Sequence, residues 1–244
     1  MEALATRHLA DLTFPEVSRA LRALSSAYVE RRRRLAGGTV LDGAGKRAAF
    51  ALFYGPLHYL VVREIVRALP DATPPGSRLV DLGCGTGAAG AAWAIASPRP
   101  PQVLGLDRHP WALAEAARTY REFRIVARTE QQDVASAELP KSPTAILAAF
   151  TVNELADEGR DALLPRLLDR AARGDAVLLV EPIARFVAPW WNRWVDAFGV
   201  AGGRADEWRI QAELPALVAK LDRAAGLNHR ELTARSLWLP GSRG

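Results

Sequence analysis

The segment RLVDLGCGTGAAGAAWA, residues 78–94, places the carboxylate of Asp81 in an apolar run that leads directly into closely spaced glycines. A strand followed by a glycine-rich turn and a helix brings backbone N–H groups and a helix N-terminus up to a bound cofactor. Gly85, Gly87 and Gly90 also fit the G-x-G-x-x-G pattern of dinucleotide sites. That pattern alone does not decide which cofactor binds.

The position of Asp81 distinguishes between the two cofactors. A carboxylate near the end of a buried strand is costly unless it finds a partner. A dinucleotide pyrophosphate is itself negatively charged, so an acid makes its site worse, whereas S-adenosylmethionine carries a cationic ammonium and a sulfonium. We therefore expect S-adenosylmethionine to bind at Asp81, Gly83, Gly85 and Gly87, and rank a nicotinamide-dependent oxidoreductase well below this interpretation.

Further candidate cofactor residues follow the next predicted strands. Asp107 ends the run VLGLD, where a carboxylate can accept hydrogen bonds from both ribose hydroxyls. Asp133 follows the third strand and can accept the adenine amino hydrogen, while the N–H of Val134 caps the ring. Phe150, at the end of the fourth strand, is assigned to the same site. Helix capping and solvated turns are the structural alternatives for Asp107 and Asp133.

The elements that must position these residues alternate along the chain from residue 78. Short apolar runs predict strands at 79–82, 103–106, 125–127, 145–150 and 176–180, with helices at about 86–97, 109–122 and 157–172. This alternation indicates a parallel sheet with helices on both faces. The last third of the chain is less regular, with helices predicted near 187–199 and 213–224 and a polar strand within 229–239.

The first 76 residues have a helical pattern, so we divide the chain into an N-terminal helical cap, 1–76, and a second domain, 77–244. The proline-rich segment 70–77 separates the two. Within the cap, Gly55 and Pro56 interrupt a long apolar helical pattern. Proline deletes a helical hydrogen bond, so we expect a kink or a helix–turn–helix there.

The run VDLGCGTG resembles the first motif of the class I S-adenosylmethionine-dependent methyltransferases, and the similarity extends to LLVEP at the fifth strand. It implies an α/β, Rossmann-like fold with a seven-stranded sheet whose last strand is antiparallel. Upstream, ALSSAYVERR and AAFALFYGPLHYLVVREIV resemble the helical extension of the ribosomal small-subunit methyltransferase-like family, which implies a role at small-subunit rRNA or in its assembly. The mitochondrial members carry an iron–sulfur cysteine set that Cys84 alone cannot supply.

Candidate catalytic residues lie beyond the fourth strand and in the cap. Asn153 and Glu154 could orient the methyl acceptor or act as a base, with helix capping as the alternative. His58, beside the Gly55-Pro56 break, is a third candidate and is also compatible with a packed core histidine. Because Cys84 lies in the cofactor loop, a covalent cysteine route to pyrimidine methylation is excluded.

The amino-acid composition bears on the class of substrate and partner. The net charge is +5, and only Lys46, Lys141 and Lys220 among the 32 basic residues are lysines. A basic surface favours nucleic acid as a partner, so we predict an RNA methyltransferase acting on small-subunit rRNA. A small-molecule methyltransferase and a non-enzymatic rRNA-binding assembly factor are the alternatives. One cysteine suits a reducing cytoplasm, and we predict neither a metal site nor a membrane partner, while the oligomeric state stays open.

Overall fold

The computed structural model describes residues 1–31, 41–183, 190–211 and 213–241. Elements are numbered along the chain. The helices are α1 (Glu2–His8), α2 (Phe14–Arg31), α3 (Ala44–Ala49), α4 (Gly55–Ala68), α5 (Ala88–Ala96), α6 (Pro110–Glu122), α7 (Asp157–Ala172), α8 (Trp191–Val200) and α9 (Ala216–Ala224). The strands are β1 (Arg78–Leu82), β2 (Gln102–Asp107), β3 (Ala127–Gln131), β4 (Ala145–Ala149), β5 (Ala176–Glu181), β6 (Arg204–Ile210) and β7 (Leu232–Leu239).

The chain divides into two compact units, each formed by two segments. The first comprises Met1–His58 and Gln211–Leu232, and the second comprises Tyr59–Ile210 and Thr233–Gly244. This division differs from the predicted boundary between residues 76 and 77. The first unit ends within α4, at residue 58, and it also includes α9 from the C-terminal part of the chain.

In the first unit, α2 and α9 bury apolar faces that include Val17, Leu21, Val218 and Leu221. Of the two expectations at Gly55-Pro56, a kink or a helix–turn–helix, the helix–turn–helix is wrong, because the chain stays helical across these residues. A π-helical turn, Phe50–Tyr54, joins α3 directly to α4, and Pro56 lies in the first turn of α4. There its missing N–H is tolerated, and the wider π-helical turn accommodates a proline that would otherwise break the helix.

The helical run Ala44–Ala68 is long and apolar enough, among the described residues, to satisfy a composition test for a membrane span, with a mean hydropathy of 1.2. However, 67% of its most apolar window is buried inside the structure. A buried core helix passes the same test, so length and composition alone do not indicate a membrane span.

The second unit is built on a seven-stranded sheet in the order β3-β2-β1-β4-β5-β7-β6. Neighbouring strands from β3 to β5 pair in parallel, whereas β7 pairs antiparallel with β5. The class I methyltransferase topology predicted from the sequence, with its antiparallel last strand, is therefore confirmed. Because β1, β2, β4 and β5 are parallel, their carboxyl ends meet at one edge of the sheet, where the candidate site residues lie.

Two strands differ from the sequence prediction. β3 begins at Ala127 and continues to Gln131, whereas the apolar run predicted 125–127. β6, Arg204–Ile210, was not predicted because its sequence RADEWRI is rich in charged residues and lacks the alternation of apolar and polar residues that marks a strand. Both strands lie at the ends of the sheet, where nearly all of their residues are exposed or only partly buried and few apolar residues are needed.

The central strands are nearly all apolar because helices cover both of their faces. All five residues of β4 and all six of β5 are buried. On α8, Trp194 and Phe198 are fully buried in this core. The predicted helix near 187–199 begins at Trp191 in the structure, and its residues 187–189 lie outside the described ranges.

Candidate functional site

The glycine loop, residues 83–87, makes the sharp turn from β1 to α5. Gly83, Gly85 and Gly87 all adopt positive φ angles, of 67°, 52° and 75° respectively. At Gly83 a side chain is excluded twice, because its φ is left-handed and because a Cβ atom would overlap the side chain of Thr151. The loop therefore packs closely against the turn that follows β4.

Asp81 lies beneath this loop and is only 1% exposed. Its Oδ2 accepts the N–H of Gly90 at 3.0 Å and the hydroxyl of Tyr120 at 3.1 Å. Burial raises the pKa of Asp81 to about 7, against the opposing effect of these two hydrogen bonds. The carboxyl group thus fixes the start of α5 against the sheet, and its predicted contact with the cofactor ammonium stays a prediction.

Asp107 ties the end of β2 to the glycine loop. Its Oδ2 accepts the N–H of Gly85 at 2.9 Å, and its Oδ1 accepts the N–H of His109 at 2.8 Å. His109 caps α6 through Nδ1, which accepts the N–H of Trp111. Each oxygen of Asp107 keeps a second acceptor position, so the carboxylate can hold the loop and still accept a ribose hydroxyl.

Asp133 and Val134 follow β3. Asp133 is exposed, and its Oδ1 accepts the N–H of Ala135 at 2.8 Å, so it closes a turn, as the structural alternative anticipated. Val134 is 8% exposed and belongs to the core of the sheet. The adenine contacts expected of these two residues stay predictions.

The residues that follow β4 form a second polar group at the same edge of the sheet, with Phe150 at its start. Phe150 has a φ of 57°, rare for a bulky side chain, and its N–H donates to the carbonyl of Val180 at 2.7 Å. We name residues 151–154 the acceptor turn. The hydroxyl of Thr151 donates to the carbonyl of Leu82 at 3.1 Å, which joins this turn to the end of β1.

Asn153, in the acceptor turn, is held by both ends of its amide. Its Nδ2 donates to Oε2 of Glu181 at 2.6 Å, and its Oδ1 accepts the indole N–H of Trp190 at 3.2 Å. Glu154, the next residue, is exposed. The structure thus brings Asn153 beside the end of β5 and leaves Glu154 at the surface.

Glu181 ends β5 and is fully buried. Its Oε1 accepts the N–H groups of Val152 at 2.7 Å and of Asn153 at 3.3 Å. Burial raises the pKa of Glu181 to about 8, and the negative charge of Glu154 adds to this, whereas the backbone hydrogen bonds and Arg235 lower it. Arg235 is the cross-strand neighbour of Glu181 on β7, but the groups within hydrogen-bond distance of the Glu181 carboxyl group belong to the acceptor turn.

His58 belongs to the first unit, at the end of its N-terminal segment. Its ring lies 6.1 Å from that of Phe50 and 6.2 Å from that of Tyr54, between ring centroids. These contacts fit the core-histidine alternative, and its catalytic role stays a prediction.

Sequence reasoning missed two residues of the site. Thr151 was not singled out, because no local pattern shows that its side chain packs against Gly83. A glycine at position 83 is the one signal of this close contact between the glycine loop and the turn after β4. Tyr120 was also missed, because a buried tyrosine on an amphipathic helix looks like any core residue. Its hydroxyl reaches Asp81 across a large separation in sequence, which no local pattern reveals.

The sequence of the chain is similar to those of known methyltransferases. Residues 79–174 match the family described as a methyltransferase domain. The chain is similar to a ribosomal RNA small subunit methyltransferase C of Chromohalobacter salexigens, with 30% identity over 155 residues, which are 61% of this chain and 44% of the relative. The chain therefore spans less than half the length of that curated relative.

Solved structures show the same fold. A mitomycin 7-O-methyltransferase superposes with a TM-score of 0.56 at 12% identity, covering 98% of this chain and 72% of that one. An O-methyltransferase from neocarzinostatin biosynthesis gives 0.55 at 15% identity, covering 98% and 74%. A magnesium protoporphyrin IX methyltransferase from Synechocystis PCC 6803, solved with bound S-adenosylhomocysteine, gives 0.50 at 17% identity, covering 89% and 95%.

Proposed function

We propose that this chain, which contains a class I S-adenosylmethionine-dependent methyltransferase domain, transfers a methyl group from that cofactor to RNA, with small-subunit rRNA as the acceptor. The observation that carries the methyltransferase proposal is the link between the glycine loop and Asp107, in which a strand-end carboxylate holds the N–H of Gly85.

The residues of the glycine loop fit the cofactor. The positive φ angles of its glycines turn the backbone sharply at the start of α5, and the absence of a side chain at Gly83 lets the loop pack directly against Thr151. Asp107 offers two acceptor positions to a ribose. Asp81 supplies a carboxyl group beneath the loop, where the cationic end of S-adenosylmethionine is expected.

On the acceptor side, Asn153 supports the proposed reaction. S-adenosylmethionine brings a methyl group already activated by its sulfonium, so placement of the acceptor accounts for much of the rate, on the order of 7–11 kcal/mol for well-oriented reactants. The Asn153 amide keeps one N–H and one lone pair beyond its bonds to Glu181 and Trp190. We propose that it orients the acceptor with these atoms.

The choice of rRNA depends on two further observations. The curated relative at 30% identity is named as an rRNA methyltransferase, and this chain has a net charge of +5 with a calculated pI near 9.9. A basic protein accumulates near the phosphates of RNA. Both observations support an RNA acceptor over an uncharged metabolite.

Labelled S-adenosylmethionine tests this function directly. We would incubate the purified protein and the labelled cofactor in three separate reactions. These contain deproteinised rRNA, intact small subunits and a small-metabolite extract, respectively. We expect label in the rRNA, lost in the variant Asp107→Ala and kept in Asp169→Ala, which removes an exposed acid of α7. Label in the metabolite extract alone would overturn the RNA proposal. Cofactor binding without transfer to any fraction would favour an assembly factor.

A further inference from the structure

We propose that Glu181 is a positioning residue that fixes the orientation of the Asn153 amide at the methyl-acceptor site. This inference rests on the proposed function, because it concerns the same acceptor turn. Glu181 is buried at the end of β5 and bonds both to the backbone of the turn and to the side chain of Asn153.

The orientation of the amide follows from its neighbours. An indole N–H can only donate, so the atom of Asn153 that faces Trp190 must be the oxygen. The nitrogen then faces Glu181, whose Oε2 accepts from it. Turning the amide over would place two donors against each other at Trp190, so the two neighbours together permit a single orientation.

Glu181 also sets the path of the backbone. Its Oε1 accepts the N–H groups of Val152 and Asn153, the first two residues of a short 3₁₀ turn. These donors are orphans at the start of a helical turn and need an acceptor when buried. One carboxyl group therefore determines both where Asn153 lies and how its amide points.

Glutamine at position 181 should replace the acceptor that faces Asn153 with a donor, without changing the size of the side chain. Its oxygen can still accept backbone N–H groups, but its amide nitrogen faces Nδ2 of Asn153, which makes two donors meet. Asn153 then loses its bond either to position 181 or to Trp190. Aspartate at position 153 restores the match, because both its oxygens accept, and the double variant Glu181→Gln with Asn153→Asp keeps the wild-type number of carboxyl groups.

The experiment compares the wild type, Glu181→Gln, the double variant and a matched control. Asp175→Asn is that control, because Asp175 is another fully buried acid, which immediately precedes the amino end of β5. Each protein is assayed for kcat and KM with labelled S-adenosylmethionine and rRNA. Exchange of the Trp190 indole proton is followed by NMR, with Trp190→Phe used to assign its resonance.

For Glu181→Gln we expect a kcat about 10- to 100-fold lower, an unchanged KM for S-adenosylmethionine, and faster exchange of the Trp190 indole proton. The double variant should recover the slow indole exchange but not the wild-type kcat, because an aspartate at position 153 lacks the free N–H that is proposed to face the acceptor. Asp175→Asn should leave both the exchange and the kcat unchanged. Indole exchange that is the same in Glu181→Gln and the wild type, or that the double variant fails to recover, would overturn the inference. Absence of transfer by the wild type would instead refute the proposed function, and the exchange data would still decide the orientation of Asn153.

Discussion

Replacing Asp107 with alanine removes a carboxylate whose two oxygens each accept one backbone N–H, at 2.9 Å from Gly85 and 2.8 Å from His109. If each oxygen also accepts one ribose hydroxyl, the variant loses two charge-assisted hydrogen bonds to the ligand. Such bonds contribute about 1.5–3 kcal/mol each. We therefore expect S-adenosylhomocysteine to bind roughly 10²- to 10⁴-fold more weakly.

Calorimetry with a modified ligand separates the ribose contact from a general disturbance of the loop. The 2′,3′-dideoxy analogue of S-adenosylhomocysteine lacks the hydroxyls that Asp107 is expected to hold. The wild type should bind this analogue much more weakly than the parent ligand, whereas Asp107→Ala should bind the two almost equally. The exposed-acid variant Asp169→Ala should behave like the wild type. If the wild type bound both ligands with the same affinity, the assignment of Asp107 to the ribose would be refuted.

Three further predictions concern the residues around the glycine loop and the acceptor turn. Gly83→Ala should lower the free energy of unfolding by about 2–4 kcal/mol, because a left-handed φ and overlap with Thr151 both oppose a side chain; chemical denaturation measures this, and an unchanged midpoint would contradict it. Tyr120→Phe should cost about 1–3 kcal/mol in the same assay, because it removes the hydroxyl that donates to buried Asp81. The free energy of unfolding should fall as pH rises from about 4 to 8, by up to about 1.4 kcal/mol per pH unit for each group, because folded Asp81 and Glu181 keep protons that the unfolded chain releases; a slope that does not become shallower in Glu181→Gln would contradict the contribution of that residue.

The direction of that pH dependence follows from the raised pKa values. An ordinary carboxyl group releases its proton near pH 4, whereas Asp81 and Glu181 hold theirs to about 7 and about 8 in the folded protein. Between these limits the folded state binds more protons than the unfolded state, so raising the pH favours unfolding. Around Glu181, the charges of Glu154 and Arg235 act in opposite directions on its pKa.

The fold could be predicted from the sequence wherever burial is complete. The strands β1, β4 and β5 are covered on both faces, so their apolar runs mark them within one residue of their observed bounds. At the ends of the sheet this signal disappears, because a strand that is half exposed carries charged residues. β6 was missed for this reason, and β3 was placed too early.

The candidate site could be predicted only in part, because sequence motifs report residues on one segment at a time. The glycine loop and Asp107 were found because a strand, a turn and an acid follow one another locally. The partners of Asp81 and Glu181 come from distant segments, and the sequence offers many acids and arginines that could pair. Only the folded chain shows that Tyr120 and Asn153 are the side chains that reach these two acids.

Thr151 connects the acceptor turn to the glycine loop. Its hydroxyl lies within hydrogen-bond distance of the carbonyl oxygens of Leu82, at 3.1 Å, and of Gly83, at 3.3 Å, on the side of the proposed cofactor site. The next residues of the turn bond to Glu181 on the side of the proposed acceptor site. In-line methyl transfer requires the donor and acceptor to be aligned, and a small misplacement is costly. A turn fixed at both of its ends meets that requirement, because neither the glycine loop nor the Asn153 amide can shift without breaking hydrogen bonds to buried groups.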